Sequence, residues 1–269
     1  MDPGHKARKN PSDNADLGFQ AVGPALRIMQ LNVEGLSAAK RHIIESLAEI
    51  HHIDVICLQE THVNDDKSDR LTISGFDIIS YTLHAKHGRA TYVRSDVSDA
   101  ARVSSSQCCD VIRVGGYHIA NIYKPPTEHW SNTNLPPVLP HPAVLVGDFN
   151  SHHPDWGYQE ADLNGESLQE WALNSDYLLL HDAKQRGTFH SAMWQRDYSP
   201  DLCWISTTVG RPQPASSVVL GDFPAVSTDL QLFTLASSFP SSEEFNAEDG
   251  TSGKLTGLAI LWPQNVPFR

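Results

Sequence analysis

Four short segments of this sequence each close an apolar run on a polar side chain suited to metal or phosphate chemistry. They are LNVEGL, with Asn32; ICLQET, with Glu60; VGDFN, with Asp148 and Asn150; and YSPDLCWIS, with Asp201. Carboxylates with few His or Cys neighbours favour a hard ion such as Mg²⁺. An Asn side chain is no base at neutral pH, but it orients a nucleophile or donates to a phosphoryl oxygen. Taken singly, each has an ordinary reading: an Asn or Asp after a strand is a turn residue or a cap, Glu60 a solvated strand end, D-F-N an Asx-turn. Together, and in this order, they point to metal-assisted chemistry on a phosphate.

Such side chains need rigid elements to hold them, and strand ends serve that purpose well. Residues 25–33 and 54–60 read as buried strands. Between them, 37–51 has Ser37 as N-cap and Ile43, Ile44, Leu47 and Ile50 at helical spacing. FDIISYT, RATYVRS, CDVIRVGGYHIANIYKPP and PAVLVGDFN read as further strands, with a hairpin turn at Gly115–Gly116. A helix is expected over 165–176 from Leu168, Trp171, Ala172 and Leu173. YLLLHD, DLCWIS and DLQLFTLA read as later strands. Many strands with few helices suggest a layered α/β domain over 25–236. Residues 1–24 read as a flexible N-terminal tail and 237–269 as a mostly disordered C-terminal tail.

Hydrophobic residues make up 40% of the 269 and charged residues 19%, which excludes a wholly disordered chain. No run approaches the ~18 apolar residues of a membrane span, and the first twenty residues lack the apolar core of a secretory signal. Cys57, Cys108, Cys109 and Cys203 show no metal-ligand spacing, so free thiols in a reducing, intracellular compartment are expected. The formal net charge of −12 argues against a general polyanion binder, although carboxylates that hold metal leave an acidic nuclease open.

LNxxGL, QET, GDFN and the xPDL strand, in this order, resemble the endonuclease/exonuclease/phosphatase superfamily. GRATYVRSD (88–96), IANIYKPP (119–126) and GDFNSHHPDWG (147–157) bring the resemblance closer to the endonuclease domain of non-LTR retrotransposons of the jockey or LINE type. The resemblance covers about residues 25–236. It implies a four-layer α/β sandwich, with two packed mixed sheets flanked by helices in the manner of DNase I. It also implies a divalent metal, Mg²⁺ or Mn²⁺, and hydrolysis of a phosphodiester. Carried over residue by residue, Glu60, Asn32 and Asp229 would hold the metal. Tyr123 would contact the scissile phosphate, Asp148 would position or deprotonate water, Asn150 would stabilise developing charge and Asp201 would orient the catalytic histidine. His152, His153 and Trp156 would flank the substrate.

The sequence departs from the family at its end. The family's Ser-Asp-His segment corresponds here to GDFPAVSTDLQLF (221–233), where Leu230 follows Asp229 in the place of histidine, and none of the fourteen histidines lies beyond His190. A missing general acid or base removes roughly 10²–10⁴-fold in rate, so weakened or lost catalysis is expected. His190 as a replacement base and a zinc site on His152, His153 and Asp155 are both poorly supported by spacing. Trp156 and Trp194 are candidates for base contact, Trp171 and Trp204 for core. Arg89, Arg94, Lys124, Arg186 and Arg196 are candidates for a phosphate track.

The leading expectation is a retrotransposon-derived, Mg²⁺-dependent DNA endonuclease domain, monomeric, and nuclear if it acts on DNA. No reverse-transcriptase region follows the matching part, so a fragment of a longer polyprotein is expected. The alternatives are a catalytically dead nucleic-acid-binding relic of the same fold, and a phosphatase or phosphodiesterase of the superfamily, against which the H-H-P-D-W-G passage counts.

Overall fold

The computed structural model describes residues 25–236 except 183, 192, 194, 209–210, 213–214 and 221–229. Both expected tails, Trp194 and Asp229 lie outside the described residues. In chain order the elements are β1 (Ala25–Asn32), α1 (Ala38–Ile50), β2 (Val55–Gln59), β3 (Phe76–Thr82), β4 (Arg89–Arg94), β5 (Ala100–Ser105), β6 (Cys109–Val114), β7 (Tyr117–Tyr123) and β8 (Ala143–Asp148). Then come α2 (Leu163–Asn174), β9 (Tyr177–Leu179), β10 (Phe189–Ser191), β11 (Arg196–Tyr198), β12 (Asp201–Thr208), β13 (Arg211–Pro212), β14 (Ala215–Leu220) and β15 (Leu230–Ala236).

Alternation along the strands builds the layers, because successive side chains point to opposite faces of a sheet. On β1, Leu26 and Ile28 face the second sheet, while Met29 and Leu31 face α1. On β8, Val144 and Val146 face the first sheet and Leu145 faces α2. One apolar cluster therefore lies between the sheets and one under each helix, giving a four-layer α/β sandwich. Ile44 and Ala48, one turn apart, are the buried residues of α1, and the Ser37 side chain caps it by accepting from Lys40 N. Ile50, expected in the apolar stripe, is exposed. The second helix starts two residues earlier than its apolar spacing suggests, because Asp162 caps it by accepting from Gly165 N at 2.6 Å. Among the described residues, no helix is long and apolar enough to cross a membrane.

The two sheets share a plan. The first runs β14-β15-β1-β2-β4-β3 and the second β13-β12-β8-β7-β6-β5, with β9 also on β12. Each has one parallel pair at its centre, β1/β2 and β7/β8, with antiparallel neighbours. Parallel pairing brings the C-terminal ends of both strands to the same edge. The ends of β1, β2, β7 and β8 are where Asn32, Glu60, Tyr123 and Asp148 stand. The β7/β8 approach is tight at Gly147, where a Cβ would lie 1.9 Å from Ile122 O.

Candidate active site

Register delivers the site residues to one another. Asn32 pairs with Gln59, the residue before Glu60. Tyr123 pairs with Asp148, which pairs in turn with Asp201. Past the strands, Val33 N donates to Gln59 O and Gly35 N to Glu60 O, so the two loops of the first sheet run side by side. Glu34, Glu60, His62 and Asn150 all have positive φ. That conformation costs a non-glycine residue roughly 1–3 kcal/mol, and such strain collects at functional sites.

Asn32 Nδ2 bridges the two halves, donating to Glu60 Oε1 at 3.0 Å and to Asp148 Oδ2 at 3.1 Å. The Tyr123 hydroxyl donates to Glu60 Oε1 at 2.9 Å. His62 Nε2 lies 3.4 Å from Glu60 Oε2. Asn150 N donates to Asp148 Oδ1 at 3.0 Å, and Asn150 Nδ2 donates to Lys124 O at 2.9 Å, which leaves the second amide hydrogen for a ligand. Of these, Asn32, Glu60, Asp148 and Asn150 line an open cleft of about 670 Å³, whose walls also include Glu34, Pro126, His152, Tyr158, Phe189 and Tyr198, while Tyr123 is buried behind Glu60. Burial lifts the Asp148 carboxyl well above the usual carboxylate range, reinforced by the nearby charges of Asp201 and Glu60 and opposed by the bonds from Asn32 and Asn150. The Tyr123 phenol is pushed up as well, first by burial and then by the charge of Glu60.

Beneath the cleft the inter-sheet face turns from apolar to polar in a way the sequence analysis missed. Gln30 Nε2 donates to Asp201 Oδ1 (2.7 Å) and Gln59 Oε1 (2.8 Å), and Gln59 Nε2 donates to Asn121 Oδ1 (2.7 Å). Asn121 Nδ2 donates to Leu58 O, Ala90 O and Thr91 Oγ1. Thr188 Oγ1 donates to Asp201 Oδ2 at 2.7 Å. The signal was present in the spacing: Leu26, Ile28, Gln30 and Asn32 stand two apart on one face of β1, as do Tyr117, Ile119, Asn121 and Tyr123 on β7.

The structure thus brings together Asn32, Glu60, Tyr123, Asp148 and Asn150, with Asp201 beside Asp148 in register. Of the three residues expected to flank the substrate, one lines the cleft and two do not. His152 is on the cleft wall, its ring stacked on Tyr158 at 4.2 Å. His153 turns toward Trp156 at 4.9 Å, and its Nδ1 accepts from Asp155 N. Trp156 is 0% exposed, donates from Nε1 to Ser151 O and meets Trp204 edge-on, so it offers a substrate no ring face. Its work is to hold the loop that follows Asn150.

The expected phosphate track needs a like correction. Arg89 is buried and paired with Asp110 at 3.0 Å, and Lys124 is buried against the carbonyls of Pro125 and Glu128. Arg94 pairs with Asp54 and Asp96. His190 pairs with Asp197 across β10/β11. All four cysteines are free and buried.

Oxygen donors dominate this end of the fold, which suits a hard divalent cation and not zinc. The repulsion that Asp148 feels from Asp201 and Glu60 is the kind that a cation would relieve. Among the described residues, no three His, Cys, Asp or Glu side chains form a ready cage.

Residues 29–241 match the profile of the Endonuclease/Exonuclease/phosphatase family. The chain is similar to the probable RNA-directed DNA polymerase from transposon X-element of Drosophila melanogaster, at 26% identity over 167 residues, covering 56% of this chain and 18% of that protein. It is also similar to the RNA-directed DNA polymerase from mobile element jockey of Drosophila funebris, at 29% identity over 159 residues, covering 53% and 16%. The chain spans less than a fifth of the length of these two relatives. In fold it is similar to the endonuclease domain of TRAS1, a telomere-specific non-LTR retrotransposon, with a TM-score of 0.63 at 15% identity, covering 80% of this chain and 100% of that one.

Proposed function

We propose that this chain, which belongs to the endonuclease/exonuclease/phosphatase family, is a nuclease-type hydrolase that cleaves a DNA phosphodiester with a divalent metal, Mg²⁺ or Mn²⁺, in its cleft. The observation that carries this reading is the convergence of Asn32, Glu60, Tyr123, Asp148 and Asn150 at one edge of both sheets. Glu60 and the Asn32 carboxamide would hold the metal, which when bound neutralises and polarises a phosphoryl oxygen. Asp229, the third expected ligand, lies outside the described residues. Asp148 positions the attacking water, Asn150 donates to an oxygen on which charge grows, and the Tyr123 hydrogen, which Glu60 holds, would turn to a phosphoryl oxygen when substrate binds. Action on DNA would place the chain in the nucleus.

Attenuation is part of the proposal. Leu230, expected in the histidine's place, is buried in the core under α1, and Asp201 spends its two carboxylate oxygens on Gln30 and Thr188. That observation favours a second reading, a catalytically silent member that still binds nucleic acid. Nicking of supercoiled plasmid decides between them. The wild type should nick slowly with Mg²⁺ or Mn²⁺ and not with EDTA, and Glu60→Ala should abolish the reaction. A wild type silent with both metals would leave the second reading.

A further inference from the structure

We propose that His87 is a positioning residue of this site: it carries a proton on Nδ1, donates it to the Tyr123 hydroxyl oxygen, and so holds that hydroxyl on Glu60. The His87 Nδ1 lies 3.3 Å from Tyr123 Oη, and Tyr123 Oη lies 2.9 Å from Glu60 Oε1. A phenol has one hydrogen, and an ionised carboxylate takes it in preference to an imidazole lone pair. The Tyr123 oxygen therefore turns lone pairs toward His87. A bare Nδ1 there would set lone pair against lone pair, so Nδ1 must bear hydrogen. Burial and the neighbouring His84 hold the His87 imidazole below its usual pKa, against the opposing charge of Glu60.

The local sequence H-A-K-H builds this geometry. His84 Nδ1 accepts from Lys86 N at 3.0 Å and from His87 N at 2.8 Å, closing a turn that stacks the two imidazoles at 4.7 Å. The His87 ring then stacks on Tyr123 at 5.6 Å, with 23° between planes. The turn is anchored to the Glu60 loop at both ends, by His84 N on Val63 O and by Thr61 N on Gly88 O. Residue 88 has no room for a side chain, since a Cβ would lie 2.4 Å from Thr61 Oγ1. His87 does not stand in for the histidine missing beside Asp201. It acts from the opposite sheet and through Tyr123, keeping the phenol in place and making it a better donor, to Glu60 and then to a phosphoryl oxygen that replaces Glu60 as its acceptor.

The catalytic part rests on the phosphodiesterase reading; the hydrogen bond does not. Long-range ¹H–¹⁵N spectra of the ¹⁵N-histidine-labelled full chain in EDTA read the tautomer directly, with the His87→Phe variant assigning the signals. His87 should be protonated on Nδ1, and Tyr123→Phe should shift it toward the Nε2–H form. A His87 found as Nε2–H in the wild type, or unmoved by Tyr123→Phe, overturns the proposal whether or not the chain cuts DNA. In plasmid nicking, His87→Phe keeps the stack and removes the donor, and should lower kcat about tenfold with KM little changed. His87→Asn, which offers an amide N–H in the place of Nδ1, should recover most of the rate. In a Tyr123→Phe background, His87→Phe should cost nothing further. Equal loss in the Phe and Asn variants would make His87 a packing residue and overturn the positioning role. A wild type silent with Mg²⁺ and Mn²⁺ sinks the phosphodiesterase reading instead, and the tautomer then decides the hydrogen bond alone.

Discussion

Leu230 and Gln231 are neighbours on β15, yet their side chains enter different layers. Leu230 packs with Met29, Leu31 and Ile44 under α1, while Gln231 points between the sheets and reaches Asp201 O at 3.4 Å. Restoring a histidine at 230 therefore puts an imidazole into an apolar cluster, on the face of the sheet away from Asp201. Leu230→His should destabilise the domain by about 2–4 kcal/mol, from lost apolar packing and a polar ring buried without a partner. It should not raise nicking. Urea unfolding of the variant beside the wild type measures the first effect and the plasmid assay the second. A stable, faster Leu230→His would mean that β15 pairs in another register. Trp156 is kept from the cleft in another way: it sits in a loop turn, and motif residues that look exposed in sequence because they sit in a loop are here the loop's internal support.

At the scale of the element, strands whose inner face is apolar over most of its length were legible, as β1, β2, β8 and β12 show. The sequence also placed Asn32, Glu60 and Asp148 at strand ends, and parallel pairing then brought those ends to one edge. The short or exposed strands β5, β10, β11, β13 and β14 went unread. AARVSS carries almost no buried side chain, so no hydrophobic period marks it. Partnerships across sheets were equally hidden. Arg89 on β4 and Asp110 on β6 belong to different sheets, and nothing local announces that the Arg89 guanidinium turns inward to Asp110 and to the carbonyls of Ser106 and Gln107. Thr82 and Ser105 add hydroxyl donors to the same carboxylate. Removing one partner of such a pair leaves a buried charge uncompensated, so Arg89→Met should cost about 3–5 kcal/mol. The double variant Arg89→Met/Asp110→Leu should recover roughly 1–3 kcal/mol of that. Matched urea titrations test it, and equal stability of the single and double variants would show that Asp110 finds compensation elsewhere.

Over the whole molecule, charge becomes the governing question for a protein proposed to bind DNA. The chain carries a formal net charge of −12, and the cleft is lined by Glu34, Glu60, Asp148 and Glu160, with neither Lys nor Arg among its described lining residues. Two cations that the sequence suggested for phosphate contact, Arg89 and Lys124, are spent inside the fold. Affinity for duplex DNA normally falls with salt at a slope of about −0.9 per neutralised phosphate, so a protein making six to ten such contacts shows a slope between roughly −5 and −9. The described cleft lining offers no Lys or Arg to release counterions, so under the proposed reading a divalent cation would have to offset the repulsion between carboxylates and phosphate. Fluorescence anisotropy of a labelled duplex, with an Asp148→Asn variant so that the DNA stays intact, should show weak binding with a slope shallower than about −2 in a KCl series with Mg²⁺. Binding should vanish in EDTA. A steep slope, or affinity that survives removal of the metal, would locate substrate binding on a cationic surface away from the cleft, and the acidic site would then have to meet DNA already held elsewhere.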